Sequence, residues 1–382
     1  LKGIGLKDSI TVNSREFQVN TGNDPQKNLV KSEVYEQGKY LFCVEEVYSI
    51  RENDPNIIDL EYVKDVTFNH HQSIIEEIKL LFVINEKLKQ IRQPLPHFRL
   101  GKVFLARGFT EEAVNNFARA VELNPQFING YIKLGMAYFK HGLFEQAVKT
   151  FLQAHKLGPN FPDIINCLGV VYSKTGNFPS ASKFLNRALE IKPNYKEASF
   201  NLGIVLFLST ISDYAENEKV VIPARFIRSF KAIVQEEKYR TRMWHERFLN
   251  AKKVLDEGKR QNVIDVLEKL QADILFNTDN SEIMDFFFLQ FMYGGKEINN
   301  TQLEMFEELI NEEVEKHSQY ADYWNELGII HLIQCREYFL KSIAEFEKSH
   351  KLDPDYKSAQ KNSDLLKHNK QGFLILLRAI LK

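Results

Sequence analysis

The stretch 97–125, HFRLGKVFLARGFTEEAVNNFARAVELNP, is followed in the same phase by 131–159, YIKLGMAYFKHGLFEQAVKTFLQAHKLGP, and by 165–193, INCLGVVYSKTGNFPSASKFLNRALEIKP. His97, Leu100, Gly101, Phe104, Ala113, Phe117, Ala120 and Pro125 recur 34 residues on as Tyr131, Leu134, Gly135, Tyr138, Ala147, Phe151, Ala154 and Pro159. They recur again as Ile165, Leu168, Gly169, Tyr172, Ala181, Leu185, Ala188 and Pro193, and Leu202 with Gly203 opens a fourth unit. Leu100 and Phe104 lie four apart on one face of a first helix, while Ala113, Phe117 and Ala120 line one face of a second. Each unit therefore reads as a helical hairpin. Gly101, Gly135, Gly169 and Gly203 stand where a side chain would hold the helices apart, and the alanines are their small partners. Gly108, Gly142 and Gly176 break the chain between helices, and the prolines stop the second helix before the next unit.

These residues closely resemble the tetratricopeptide-repeat (TPR) signature. The resemblance implies a mainly α fold, a solenoid of helical hairpins whose work is to bind other proteins. Further along, Trp324, Leu327, Gly328 and His331, then Ser342, Phe346, Ser349 and Pro354, repeat the pattern with an inter-helix turn two residues longer. Between 209 and 320 the signature fades, but Ala251, Gly258, Val263, Leu267 and Leu270 fall on the small, turn and apolar positions of one more hairpin. Glu282 to Tyr293, the Gly294-Gly295 turn and Gln302 to His317 read as a further helix pair. Lys351 to Lys370 would cap the open end. The count is about seven hairpins, some of them divergent.

Ahead of the repeats, Asp8–Asn13, Arg15–Val19, Leu29–Glu36 and Lys39–Glu46 are β-branched or aromatic runs separated by turn residues. They predict a small antiparallel β-sheet module, marginal unless one face is covered, and the long helix from about Asp54 to Gln93 is its expected cover. Phe17-Gln18-Val19 with Thr21, Val34-Tyr35-Glu36 with Gly38, and His71-Gln72 with Ile75 resemble a module found ahead of bacterial TPR regions of unknown function. The expected organisation is thus a β-module at 1–50, a connecting helix at 51–93, repeats one to three and the first helix of a fourth at 94–208, divergent hairpins at 209–320, and a TPR-like repeat with its cap at 321–382.

Fifty Lys plus Arg face 51 Asp plus Glu, a formal net charge of -1, so no global field would gather nucleic acid or an anionic membrane. Cys43, Cys167 and Cys335 are far apart with no CxxC spacing, which argues against a zinc site or disulfide framework and for a reducing, cytoplasmic setting. No run reaches the roughly 18 apolar residues that span a bilayer. The chain opens with Leu1 and not Met, which leaves either a start further upstream or an alternative codon read literally.

The residues offer no enzyme chemistry, cofactor site or metal site. His70 and His71 point about 100° apart on a helix and are expected to be solvated or capping, not chelating. Glu76-Glu77, Glu111-Glu112 and Glu307-Glu308 read as wet helix faces. Arg225 to Arg260 holds eleven Lys or Arg against five Asp or Glu with aromatics interleaved, but without an RNA-binding signature it reads as an ordinary solenoid segment. The apolar tail Phe373–Leu381 reads as a final core helix or an anchoring helix.

By the TPR resemblance, the first helix of each hairpin lines the concave groove. The inward positions are Phe98, Lys102 and Leu105; Ile132, Met136 and Phe139; Asn166, Val170 and Ser173; and Phe200, Ile204 and Phe207. Phe98 and Ile132 stand where chaperone-binding relatives carry polar residues, so no C-terminal carboxylate clamp is expected. An apolar groove of this size needs an occupant. One expectation is a protein–protein scaffold or adaptor that takes an apolar or amphipathic segment of a partner. A second is a structural solenoid whose groove is filled by Ser209–Val221 or by the N-terminal helix. A third is a regulator that sets the β-module beside a partner enzyme. Partner identity and oligomeric state are not encoded in any residue pattern.

Overall fold

The computed structural model describes residues 4–25, 27–48, 60–211, 219–277, 281–294, 321–355 and 357–381, with short helical pieces at 303–304, 307–308, 310–311 and 314–315. The chain forms two compact units, Leu1–Leu289 and Gln290–Lys382.

The first unit opens with a four-stranded antiparallel meander, β1 (Gly5–Val12), β2 (Arg15–Asp24), β3 (Leu29–Glu36) and β4 (Lys39–Val47), in that order. Asn13-Ser14 and Gln37-Gly38 both take positive φ at two successive residues, the turn that matches the twist of paired strands. Alternate residues Phe17, Val19 and Thr21 of β2 and Val30, Ser32 and Val34 of β3 are buried. Helix α1 (Leu60–Leu88) covers them through Val63, Ile74, Ile75, Ile78 and Phe82, while the expected start of that helix at 54–59 lies outside the described residues.

The histidine pair is neither solvated nor capping. His71 is buried with Nδ1 2.7 Å from Thr21 Oγ1 and Nε2 3.1 Å from Asp8, and the Thr21 hydroxyl meets Ser32 Oγ at 2.6 Å. His70, also buried, sets Nδ1 2.7 Å from Glu46. Their divergence around the helix is what lets one histidine reach β1 and β2 while the other reaches β4.

Next come the hairpins α2–α3 (Pro94–Ala106, Thr110–Leu123), α4–α5 (Ile128–Lys140, Phe144–Leu157) and α6–α7 (Pro162–Lys174, Phe178–Ile191). A Cβ added to Gly101 or Gly135 would lie 2.7 Å from the ring of Phe117 or Phe151, and one on Gly169 would lie 2.5 Å from Leu185. The repeated glycines therefore serve close helix approach, as their spacing implies. Helix α8 (Lys196–Ile211) pairs with α9 (Ala224–Val234), with Ser229 against Gly203, so the fourth hairpin is completed after a longer connection.

The sheet, α1 and the first repeat share one core. Phe109 lies edge-on to Phe17 at 5.6 Å, Phe82 at 5.5 Å and Phe104 at 5.8 Å, and Phe42 sits 6.0 Å away. Gly108 has a φ of +75°, and a Cβ there would meet the Leu41 carbonyl oxygen at 2.7 Å. Arg15 joins the contact by pairing with both Glu36 and Glu112.

Helices α10 (Arg242–Glu257) and α11 (Arg260–Leu275) form the divergent hairpin expected around Gly258, which caps α10 in the left-handed conformation at a φ of +69°. Helix α12 (Ser281–Leu289) ends the unit.

In the second unit, α13 (Ala321–Leu352) is one unbroken helix of 32 residues, paired with α14 (Lys357–Leu381). The expected turn between Trp324 and Ser342 is not formed. Residues 332–341 contain neither glycine nor proline, unlike the turns at Gly108, Gly142 and Gly176, so nothing interrupts the hydrogen-bond ladder. Among the described residues, a Cβ on Gly328 would meet no atom within 4 Å. Gln302–His317 and Gly295 fall largely or wholly outside the described residues.

Candidate functional site

The groove-lining positions sit on α2, α4, α6 and α8, and the chain's own later helices lie against that face. Working down α11, Glu268 pairs with Lys174 at the end of α6. Beyond α11, Phe276 places its ring 5.9 Å from Phe139 on α4. Helix α12 then lies on α2, where Asp285 stands 2.6 Å from Lys102 and 3.6 Å from Arg99, and the Arg99 guanidinium covers the Phe288 ring at 4.0 Å. Residues 263–277 and 281–289 thus run back along the repeats, from the fourth to the first. Of the two fillers expected from the sequence, α1 packs on the sheet and on α2, while 212–218 lie outside the described residues and Ile211 and Val220 beside them join the buried cluster around Phe207.

The two halves of the groove differ. Val170, Phe200, Ile204 and Phe207 are fully buried, the last three in a cluster with Phe226, Tyr239, Trp244, Phe248, Val263, Leu267 and Leu270. Asn166 and Ser173 are buried as well; Asn166 accepts a hydrogen bond from Asn201 at 2.9 Å, and Ser173 Oγ, Asn201 Oδ1 and Gln271 Nε2 have no hydrogen-bond partner among the described residues. At the first two repeats the cover carries more polar contacts. Phe98 and Ile132 are half-buried, with the Phe98 ring tilted against Phe127 at 4.8 Å and Phe117 at 5.7 Å. Lys102 is held by Asp285, and the Leu105 carbonyl accepts from Lys140 at 2.7 Å. Met136 and Phe139 retain a few per cent of exposure beside a cavity of about 460 Å³.

Arg99, Lys140, Trp244, Phe276, Asp285 and Phe288 complete this site, and none was singled out for it by the repeat pattern. Lys140 and Arg99 lie beside groove positions on their helices, and the Phe286-Phe287-Phe288 run is the local signal of a segment needing cover. Burial pushes the Lys140 ammonium below the usual lysine range, and burial pushes the Asp273 carboxyl up against the opposing pull of Arg247 at 3.5 Å. Among the described residues, no group of three or more His, Cys, Asp or Glu is arranged to hold a metal ion, and no helix is long and apolar enough to cross a membrane. The chemistry on offer is recognition of an acidic and aromatic helix by a basic, apolar surface.

The family described as TPR repeat matches residues 101–142 and 137–176, and the tetratricopeptide repeat matches 164–195. Among solved structures, that of MamA is similar at 19% identity over 48% of this chain and 96% of its own, with a TM-score of 0.35. YrrB, titled a TPR protein with an unusual peptide-binding site, is 18% identical over 52% of this chain and 94% of its own, with a TM-score of 0.31. TTC0263, a thermophilic TPR protein of Thermus thermophilus, is 18% identical over 48% and 93%, with a TM-score of 0.36. No curated protein matches the chain.

Proposed function

From the tetratricopeptide repeats that its residues 101–195 match, we propose that the chain is a protein-interaction scaffold whose groove is held at rest by its own residues 263–277 and 281–289. It acts by binding and not by catalysis. The partner segment is an amphipathic helix that presents a carboxylate and, three residues later, an aromatic ring, as Asp285 and Phe288 do. Residues three apart share a helix face, so Lys102 and Arg99 can read both groups at once. The observation that carries this reading is the contrast along the groove. The cover over Phe200, Ile204 and Phe207 is apolar core, whereas α12 adds to its buried Phe287, Phe288 and Leu289 an ion pair and a cation–π contact with α2, which a competing helix can replace in kind. Phe98, Lys102, Leu105, Ile132, Met136 and Phe139 are then the positions a partner meets. Three widely spaced cysteines fit a cytoplasmic setting for this work, and the likeness of the β-module fits a bacterial one.

The test is a labelled peptide with the sequence of 281–293, titrated into the full chain and into the chain carrying Asp285→Lys with Phe288→Ala. The intact chain should bind weakly, because its site is occupied, and the doubly substituted chain at least ten-fold more tightly. Adding Lys102→Glu should remove that gain. Equal, negligible binding by all three proteins would favour the second reading, a structural solenoid with a permanently filled groove, for which the buried cluster around Phe207 already speaks.

A further inference from the structure

The filler does not occupy the whole of the groove it covers. Between α2 and α4 on one side and α10 to α12 on the other remains the cavity of about 460 Å³, within the size range of small-molecule sites. Part of its wall is apolar: Leu105 and Met136 come from the repeats, Trp244 and Phe276 from the returning chain. Leu105, Met136 and Trp244 are buried.

The polar groups of this cavity are unbalanced in charge. Lys102, Lys133, Lys140 and Arg247 line it against Asp273 and Glu282, and Lys102 is committed to Asp285. Lys140 is the informative one. Its ammonium donates to the Leu105 carbonyl and lies 5.7 Å over the Phe276 ring, and no carboxylate among the described residues reaches it. An ammonium has three donors, so two remain to be met. Across the cavity, Arg247 stacks 5.0 Å over Trp244 and approaches Asp273 at 3.5 Å, a loose pair. One negative charge near Lys140 would satisfy those donors. A doubly charged head group would meet Asp273 and Glu282 and lose more hydration than this mostly apolar space returns.

We propose that this cavity binds a small amphiphilic monocarboxylate, its head group on Lys140 and its apolar body between Met136, Trp244 and Phe276. Such a ligand touches both the repeats and the returning chain, so it fastens the self-filled groove. This assignment rests on the groove being filled by its own chain and not on any partner replacing α12.

Trp244 reports on the cavity directly, and Trp324→Phe leaves it as the single tryptophan of the chain. Octanoate below its micelle concentration is titrated into that full chain, with octanol and octylammonium as matched probes, while Trp244 emission and the thermal midpoint are followed. Octanoate should give a saturable change in emission and raise the midpoint, with an affinity at least ten-fold above either matched probe. Lys140→Met should bring octanoate and octanol to within about two-fold of each other, and Lys140→Arg should keep the preference. Met136→Trp, which fills the space, should abolish binding, and its effect is followed by the midpoint alone because it adds a second indole. A weak response shared by all three amphiphiles, or a preference for octanoate unchanged in Lys140→Met, overturns the assignment. Octanoate selectivity with no response of the 281–293 peptide would sink the displacement reading alone, and the reverse pattern would sink the carboxylate site alone.

Discussion

The ammonium of Lys102, on the first helix of the first repeat, lies 2.6 Å from the carboxylate of Asp285, on the last helix of the same compact unit. Both side chains are mostly removed from solvent, with 19% and 9% exposure, so this pair is screened far less than a surface bridge. It joins the two ends of the repeat array through the chain's own return path.

A double-mutant cycle tests whether that contact holds the return path in place. Lys102→Met and Asp285→Asn should each lower unfolding free energy by about 2 kcal/mol, the range for hydrogen bonds to charged groups. The double variant should lose about 1 kcal/mol less than the sum, as residues in direct contact do. Full additivity would mean that the two groups do not interact in solution.

Two glycines with the same place in the repeat signature should respond with opposite sign. Gly135→Ala drives a methyl to 2.7 Å from Phe151 and should cost about 1–2 kcal/mol, overpacking being partly offset by helix propensity. Gly328→Ala meets no described atom within 4 Å and should gain about 0.5–1 kcal/mol. Chemical denaturation read by circular dichroism distinguishes them, and a stabilising Gly135→Ala would contradict the close approach of α4 and α5.

Phe109 ties the β-module to the first repeat, so its loss should be felt on both sides. Phe109→Ala should cost about 3–5 kcal/mol and raise amide exchange in β2, α1 and α2 together. By the same reasoning, a fragment ending at Gln93, which lacks Phe104 and Phe109, should melt without a cooperative transition. A sharp melt of that fragment would show that the module folds by itself.

The three cysteines should separate cleanly by reactivity. Burial pushes the Cys167 thiol up to about 12, and burial also raises the half-buried Cys43, whereas Cys335 is exposed. At pH 8 a small thiol reagent should modify Cys335 first, Cys43 more slowly, and Cys167 only after denaturant is added. Mass spectrometry of a time course reads the order directly, and early labelling of Cys167 would mean that α6 opens readily.

What the residues alone determine here is everything that depends on fixed, short separations. Leu100 to Phe104, Gly101 to Phe117 and their equivalents 34 residues on are contacts within a hairpin, so periodicity encodes them and the solenoid follows. The Asn13-Ser14 and Gln37-Gly38 turns specify the meander in the same local way. The unbroken α13 shows the limit of such reading, since the signature around Gly328 does not bring the turn that follows it in the first repeats. Which segment fills the groove was decided only by tertiary structure. Asp285 with Lys102 and Phe276 with Phe139 meet at separations no repeat fixes, and their pairing depends on burial and charge summed over the whole folded unit. Hydrophobic and ionic attraction carry no memory of sequence distance, so a pattern along the chain reveals that the groove needs covering, while the packed molecule selects its cover.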